Sequence, residues 1–198
     1  MGITILYEEG QTPLDEDEIE GLLISTITTR AELDEFEQLN IQKAIEWTLL
    51  RKFKADRIFT EKFIKQLHKR MFADVWKWAG KFRNSNKNIG VDHYKIGIEL
   101  KTLLDDVQYW VTHQTYPPHE IAIRFKHRIV SIHCFANGNG RHSRLICDII
   151  IEHVYAEPVY SWGSSNLIKA DEVRKMYLKA LKQADQGIIT PLMDFART

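Results

Sequence analysis

Residues 131–144, Ser-Ile-His-Cys-Phe-Ala-Asn-Gly-Asn-Gly-Arg-His-Ser-Arg, constrain the fold more than any other stretch of the chain. Ahead of it, Ile121, Phe125, Ile129 and Ile132 recur at helical spacing, and behind it Leu145, Ile146, Ile149 and Ile150 resume that period. The spacing predicts two helices joined by a short loop, with His133 at its entrance and Gly138 and Gly140 at its exit. The second helix opens with Arg141 and Arg144, three apart and therefore on one face. On structural grounds alone this is a poor start, because a helix N-terminus is the positive end of the macrodipole and disfavours each cation by roughly 0.3–1 kcal/mol. A multiply charged anion docked among the arginines removes the conflict. The glycines let backbone N–H groups turn towards such a ligand, and the helix N-terminus supplies more donors. A histidine just upstream is then able to take a proton from a group attacking the anion. The stretch reads as a polyphosphate cradle with an adjacent general base.

The same residues resemble the signature of the Fic family, His-Pro-Phe-x-Asp/Glu-Gly-Asn-Gly-Arg-x-x-Arg. His133, Phe135, Gly138, Asn139, Gly140, Arg141 and Arg144 match; Cys134 replaces the proline and Asn137 the acid. Upstream, Leu67-His68 with Phe72, Trp78-Ala79-Gly80 with Arg83, and Asn88-Ile89-Gly90 follow further family motifs in the same order. The resemblance covers most of residues 30–198. It implies an all-α fold, a Fic-type helical bundle, with a signature loop at 133–144 and a small β-hairpin or extended flap at about 81–97. Residues 1–29 form a separate acidic arm, expected to be loosely held. In the family the flap pairs with the backbone of the modified protein by strand addition, which makes Asn88, Ile89 and Gly90 the candidate docking residues.

The rest of the sequence fits a helical domain. Thr28 and Thr29 predict caps for a helix over about 30–52, with Leu33, Phe36, Ile41, Ala44, Ile45 and Leu49 as its apolar stripe. Thr60 predicts the start of a helix over 61–72, Leu100 to Val111 lie within a helix over 98–113, and a last long helix is expected over about 169–185. Gly163 to Asn166 predict a turn, and Pro191 can open a short terminal helix. At 198 residues the chain is long enough for one sizeable core. With 27 basic against 27 acidic residues it lacks the net-basic footprint of a nucleic-acid binder. Cys134 and Cys147 have no metal-type spacing and read as free thiols of a reducing compartment. No charged-then-apolar leader opens the sequence and no apolar run approaches ~20 residues, so a cytoplasmic protein with no membrane or nucleic-acid partner is expected.

What the resemblance implies chemically is transfer of AMP from ATP to a Ser, Thr or Tyr hydroxyl of a target protein, with His133 as the base. Gly138, Asn139, Gly140, Arg141 and Arg144 hold the phosphates, and Mg2+ or Mn2+ accompanies the ATP. The usual acid holds that ion, and at its position Asn137 offers only a neutral carbonyl oxygen, a weak candidate ligand. In the Doc branch, associated with toxin–antitoxin pairs, the loop reads Ala-Asn-Lys-Arg and phosphate is transferred; Gly140 here leaves room for a diphosphate. An inhibitory helix reading Ser/Thr-x-x-x-Glu-Gly/Asn also belongs to the family. Thr28 to Glu32 fit its first five positions, making Glu32 the candidate partner of Arg144, with Glu37 the poorer fit. A second copy of the chain, or a separate inhibitor protein, stays open as the restraining partner. Two alternatives remain beside adenylyl transfer: a nucleotide- or protein-binding module with little catalysis, and a Doc-type phosphotransferase. A metal hydrolase on His127, His133 and His142 is set aside, because the spacing fits no usual ligand pattern.

Overall fold

The computed structural model describes residues 13–164 and 170–198. After a one-turn α1 (Glu16–Ile19), the elements are α2 (Arg30–Leu49), a single turn α3 (Ala55–Ile58) and α4 (Glu61–Phe72). A 3-10 turn (His93–Lys95) leads into α5 (Ile96–His113), followed by α6 (Pro118–Ile132), α7 (Asn139–Tyr155), α8 (Ala170–Asp185) and α9 (Thr190–Arg197). Local sequence explains the boundaries. Thr29 and Thr60 cap α2 and α4 by accepting the N–H of Glu32 and of Phe63 (3.2 and 3.1 Å). Pro118 supplies the fixed φ that suits a first turn.

The α6–α7 hairpin is the centre, with α5 packed on α6, α2 on α4, and α8 on α9. In α7, Ile146, Cys147, Ile149, Ile150 and Ile151 are all buried, so this helix is covered on nearly every side. Phe63, Ile64, Leu67, Met71 and Phe72 bring α4 against it. At about 1.5–3 kcal/mol per large apolar side chain buried, this packing is what fixes the loop between α6 and α7. Among the described residues no helix is long and apolar enough to cross a membrane.

Three features differ from the sequence reading. The flap at 81–97 forms no hairpin: the only β pairing among the described residues is an isolated bridge, Leu22 with Trp76, and the flap runs through a series of bends to Asp92, its last residues belonging to the 3-10 turn and the start of α5. Its backbone docks on the signature loop through Arg83 N–H to the Cys134 carbonyl (3.0 Å) and Val91 N–H to the Ile132 carbonyl (3.3 Å). Those two bonds go to single carbonyls of a turning loop, which offers no straight edge to pair with. Second, the described part of the acidic arm is tied down. Asp15 and Glu18 both pair with Lys87 of the flap (2.8 and 2.5 Å), whose side chain is only 3% exposed. Residues 1–12 lie outside the described residues, as do Ser165, Asn166 and Lys169 of the expected turn and last helix.

Third, the buried stripe of α2 is rotated. Leu33 and Ala44 face inward as expected, but with Glu37, Asn40, Trp47 and Thr48 beside them, while Phe36, Ile45 and Leu49 are exposed. The rotation follows from what α2 meets. Asn40 donates to the Arg70 carbonyl (2.8 Å) and accepts the Asp74 N–H (2.9 Å), capping loose groups at the end of α4. Glu37 accepts from the Trp76 indole (2.6 Å).

Candidate active site

Helix α6 ends on His133, whose φ of 58° and ψ of 60° are left-handed, an unusual conformation for a residue with a side chain. The following turn is stapled by Asn139. Its side-chain oxygen accepts the Phe135 N–H (2.9 Å) and its amide donates to the Phe135 carbonyl (2.8 Å). Phe135 stacks on His68 with ring centres 3.7 Å apart, and the His68 ring also meets the Asn137 carbonyl (3.0 Å) and the Gly80 N–H (3.0 Å). Gly138 has φ 76°, and a Cβ there would come within 2.5 Å of the Phe72 ring, so glycine is required both by conformation and by space. At Gly140, in contrast, a Cβ would meet nothing within 4 Å. Protein packing does not demand glycine there.

The first intrahelical bond of α7 is from His142 N–H to the Gly138 carbonyl (2.9 Å). The N–H groups of Asn139, Gly140 and Arg141 precede it and belong to the first turn, where a helix has no partners of its own to offer. Their residues line a cavity of about 730 Å³, together with His133, Asn137, Gly138 and Arg144. Ile89 and Gly90 of the flap form one wall, Tyr177, Leu178 and Leu181 of α8 another, and Arg30 and Asp34 of α2 a third. The structure thus brings together His133, Gly138, Asn139, Gly140, Arg141 and Arg144 as the sequence suggested, with Ile89 and Gly90 at the mouth. Asn88 is exposed on the flap beside them.

His133 is almost fully buried, and its ring bonds to the Val130 backbone. Burial first, and the nearby Arg83 and Lys87 next, push its pKa down to about 4. The ring is therefore neutral at physiological pH and can accept a proton. Arg83, present in the sequence reading only as a motif letter, organises this corner. Its guanidinium donates to the carbonyls of His133 (2.7 Å), Ser85 (2.7 Å) and Val91, which ties flap and loop into one unit. Gly90 then lies so close that a Cβ on it would come within 2.5 Å of the His133 Cβ. Cys134 points into the core, where burial raises its thiol to about 12; it is inert.

The candidate inhibitory acid needs correcting. Glu32 does not line the cavity: its carboxylate accepts the N–H groups of Thr28 (2.8 Å) and Thr29 (3.0 Å), and these bonds hold its pKa below the usual value. Local amides within one turn win over a distant arginine. The carboxylate that reaches the cradle is that of Glu37, one oxygen on Trp76 and the other on Arg141 (2.6 Å). A search for apolar spacing passes over such a residue; a buried polar position in register with Leu33, Asn40 and Ala44 was the signal available. Asn137, the candidate metal ligand, spends its side-chain oxygen on the Gly138 N–H (2.5 Å). Among the described residues no three His, Cys, Asp or Glu groups cluster as a metal site, and His127 and His142 go separately to Asp185 and to the Ile64 carbonyl.

With the geometry in hand, the comparisons with known proteins agree. A sequence model described as the Fic/DOC family matches residues 58–151, the span from α3 to the end of the buried part of α7. Over residues 58–151 the chain matches the Fic/DOC family. The protein adenylyltransferase Fic of Drosophila melanogaster is 30% identical over 141 residues, which is 69% of this chain and 27% of that protein. Its counterpart in Aedes aegypti is 28% identical over 158 residues, 77% of this chain and 29% of that protein. The chain thus spans little more than a quarter of the length of these relatives. Among solved structures, BepC of Bartonella tribocorum, crystallised with bound AMPPNP, superposes with a TM-score of 0.67 at 16% identity, covering 92% of this chain and 97% of that one. This likeness establishes the Fic-type helical fold.

Proposed function

We propose that the protein transfers AMP from ATP to a hydroxyl of a target protein. The observation that carries this reading is a neutral, buried His133 set between a helix N-terminal anion cradle and a flap that leaves Ile89 and Gly90 at the cavity mouth. The first-turn N–H groups of α7, with Arg141 and Arg144, take the β- and γ-phosphates; a guanidinium fork suits these oxygens better than an ammonium. A target segment lies along the flap and presents a Ser, Thr or Tyr hydroxyl. His133 takes its proton as the oxygen attacks the α-phosphorus, a new P–O bond forms, the α–β bridge breaks and diphosphate leaves. The open space beside Gly140 favours a diphosphate leaving group over a Doc-type transfer of phosphate alone.

The donor set does not fit a protein-held Mg2+ or Mn2+ ion, because the loop carries no carboxylate and the Asn137 oxygen is turned onto its own backbone. Any such ion arrives as part of the metal–nucleotide substrate, and no step above passes through it. That same position favours the second reading, a nucleotide-binding module with little catalysis. Self-restraint fits Glu37 better than Glu32, since a carboxylate on Arg141 competes with an arriving phosphate for the same guanidinium.

ATP labelled on the α- or on the γ-phosphate, incubated with the protein and a cell lysate, tests the reaction. Protein labelled from the α-position alone is the result expected for adenylyl transfer. Label from the γ-position alone would make the protein a phosphotransferase, and ATP binding with no label would leave a binding module.

A further inference from the structure

Behind the cradle, Lys126 of α6 is completely buried, yet among the described residues no carboxylate forms an ion pair with it. Its ammonium donates to the Tyr177 hydroxyl of α8 and lies 4.3 Å from the centre of that ring. The guanidinium of Arg144 sits 4.5 Å from the centre of the same ring, and its Nε is buried without a hydrogen-bond partner. Two cations therefore share one tyrosine. The acid nearest to them along α7, Asp148, is committed to the Trp162 indole (3.0 and 3.1 Å) and the Tyr160 N–H (3.3 Å). Burial raises its pKa to about 7, so it offsets the pair only in part.

Burying a lysine without a carboxylate is expensive, and an apolar side chain of similar volume is commonly the more stable choice. The arrangement is rational if an anion completes it, because Tyr177 and Arg144 both line the cavity in front of Lys126. We propose that Lys126 is a buried positioning residue of the polyphosphate site: through Tyr177 it holds Arg144 at the cradle and adds a further, buried positive charge to the field the phosphates meet. This rests on reading the cavity as a nucleotide polyphosphate site. It extends that site by two residues, Lys126 and Tyr177, that lie outside the glycine loop and touch no reacting atom.

Inorganic tripolyphosphate is the probe, its affinity measured by calorimetry at several salt concentrations on the wild-type chain, Lys126→Met and Tyr177→Phe, with thermal melting of each. For Lys126→Met the expected result is about 5–20-fold weaker binding, a shallower dependence on salt, and a melting temperature equal to or above that of the wild type. Tyr177→Phe keeps the ring under Arg144 but cuts the link to Lys126, and is expected to lose affinity by a smaller factor. Unchanged tripolyphosphate binding in Lys126→Met would overturn the proposal. So would weaker binding with an unchanged salt slope and a lower melting temperature, which would mark the lysine as an ordinary packing residue. A wild-type chain that fails to bind tripolyphosphate would instead overturn the nucleotide reading of the cavity itself.

Discussion

Two walls of the cavity reach it by different physics. The loop from His133 to Gly138 is shaped by its own backbone: left-handed φ values at both ends, an Asn139 staple across the middle, and a glycine where Phe72 leaves no room for a Cβ. Helix α2 reaches the site through Glu37, which touches Arg141 without lining the cavity itself, on a polar face that makes sense only once Trp76 and Arg141 are across from it. A backbone-built site writes itself into consecutive residues. A site built by contact between distant elements leaves a scattered trace.

Substitutions on the two walls should therefore behave differently, and the largest effect belongs to the loop. His133→Ala is expected to lower adenylyl transfer by about 10²–10⁴-fold with ATP affinity unchanged, as befits loss of a general base. Equal losses in binding and in rate would make the histidine a ligand contact only. On α2, Glu37→Gln keeps an acceptor for the Trp76 indole but removes the charge on Arg141. Transfer is expected to rise by roughly tenfold, while stability falls by about 1–2 kcal/mol in denaturant unfolding. A loss of stability with no gain in transfer would reduce the Glu37–Arg141 pair to a packing role. Asn137→Asp should raise Mg2+-dependent transfer a fewfold by adding a charged oxygen, and an unchanged metal dependence would remove this position from metal binding. Smallest of all, Glu32→Ala should lower the melting temperature slightly and leave transfer unchanged, since this carboxylate caps α2 and touches nothing in the cavity.

Acid should also separate the loop from the rest. His133 and His142 are buried with pKa values of about 4, depressed mainly by burial below an unfolded value near 6.5. The unfolded chain therefore binds more protons than the folded one below pH 6.5. Stability is expected to fall as pH drops from 6.5 towards 4, by up to about 1.4 kcal/mol per pH unit for each histidine. Unfolding curves recorded from pH 7 to 4.5 check this, and a flat profile would mean the histidines are more solvated than the structure has them.

How much of this could be read from the chain follows from the same contrast. The α6–loop–α7 unit, the caps at Thr29 and Thr60 and the opening of α9 at Pro191 were legible, because each depends on neighbours within a few residues. The face of α2 was not. Phe36, Ile45 and Leu49 look like a stripe, but the helix turns Glu37 and Asn40 inward to satisfy Trp76 and the end of α4, contacts thirty or more residues away in sequence. The flap shows an intermediate case. Its position was visible in Asn88, Ile89 and Gly90, whereas its lack of strand pairing goes with Arg83, which takes the flap's own Ser85 and Val91 carbonyls, groups a hairpin would pair with each other. For the same reason the clasp of Asp15 and Glu18 on Lys87 could not be seen in an acidic run that reads as solvated surface.

The most direct measurement combines both walls. Glu37→Gln and the double variant Glu37→Gln with His133→Ala would be compared for transfer of label from the α-phosphate of ATP to protein, with ATP binding followed alongside. Strong labelling by the single variant, abolished in the double variant while both bind ATP, is the result expected of a base-driven adenylyl transfer held back by Glu37. Equal labelling by the two, or ATP binding with no label in either, would contradict it.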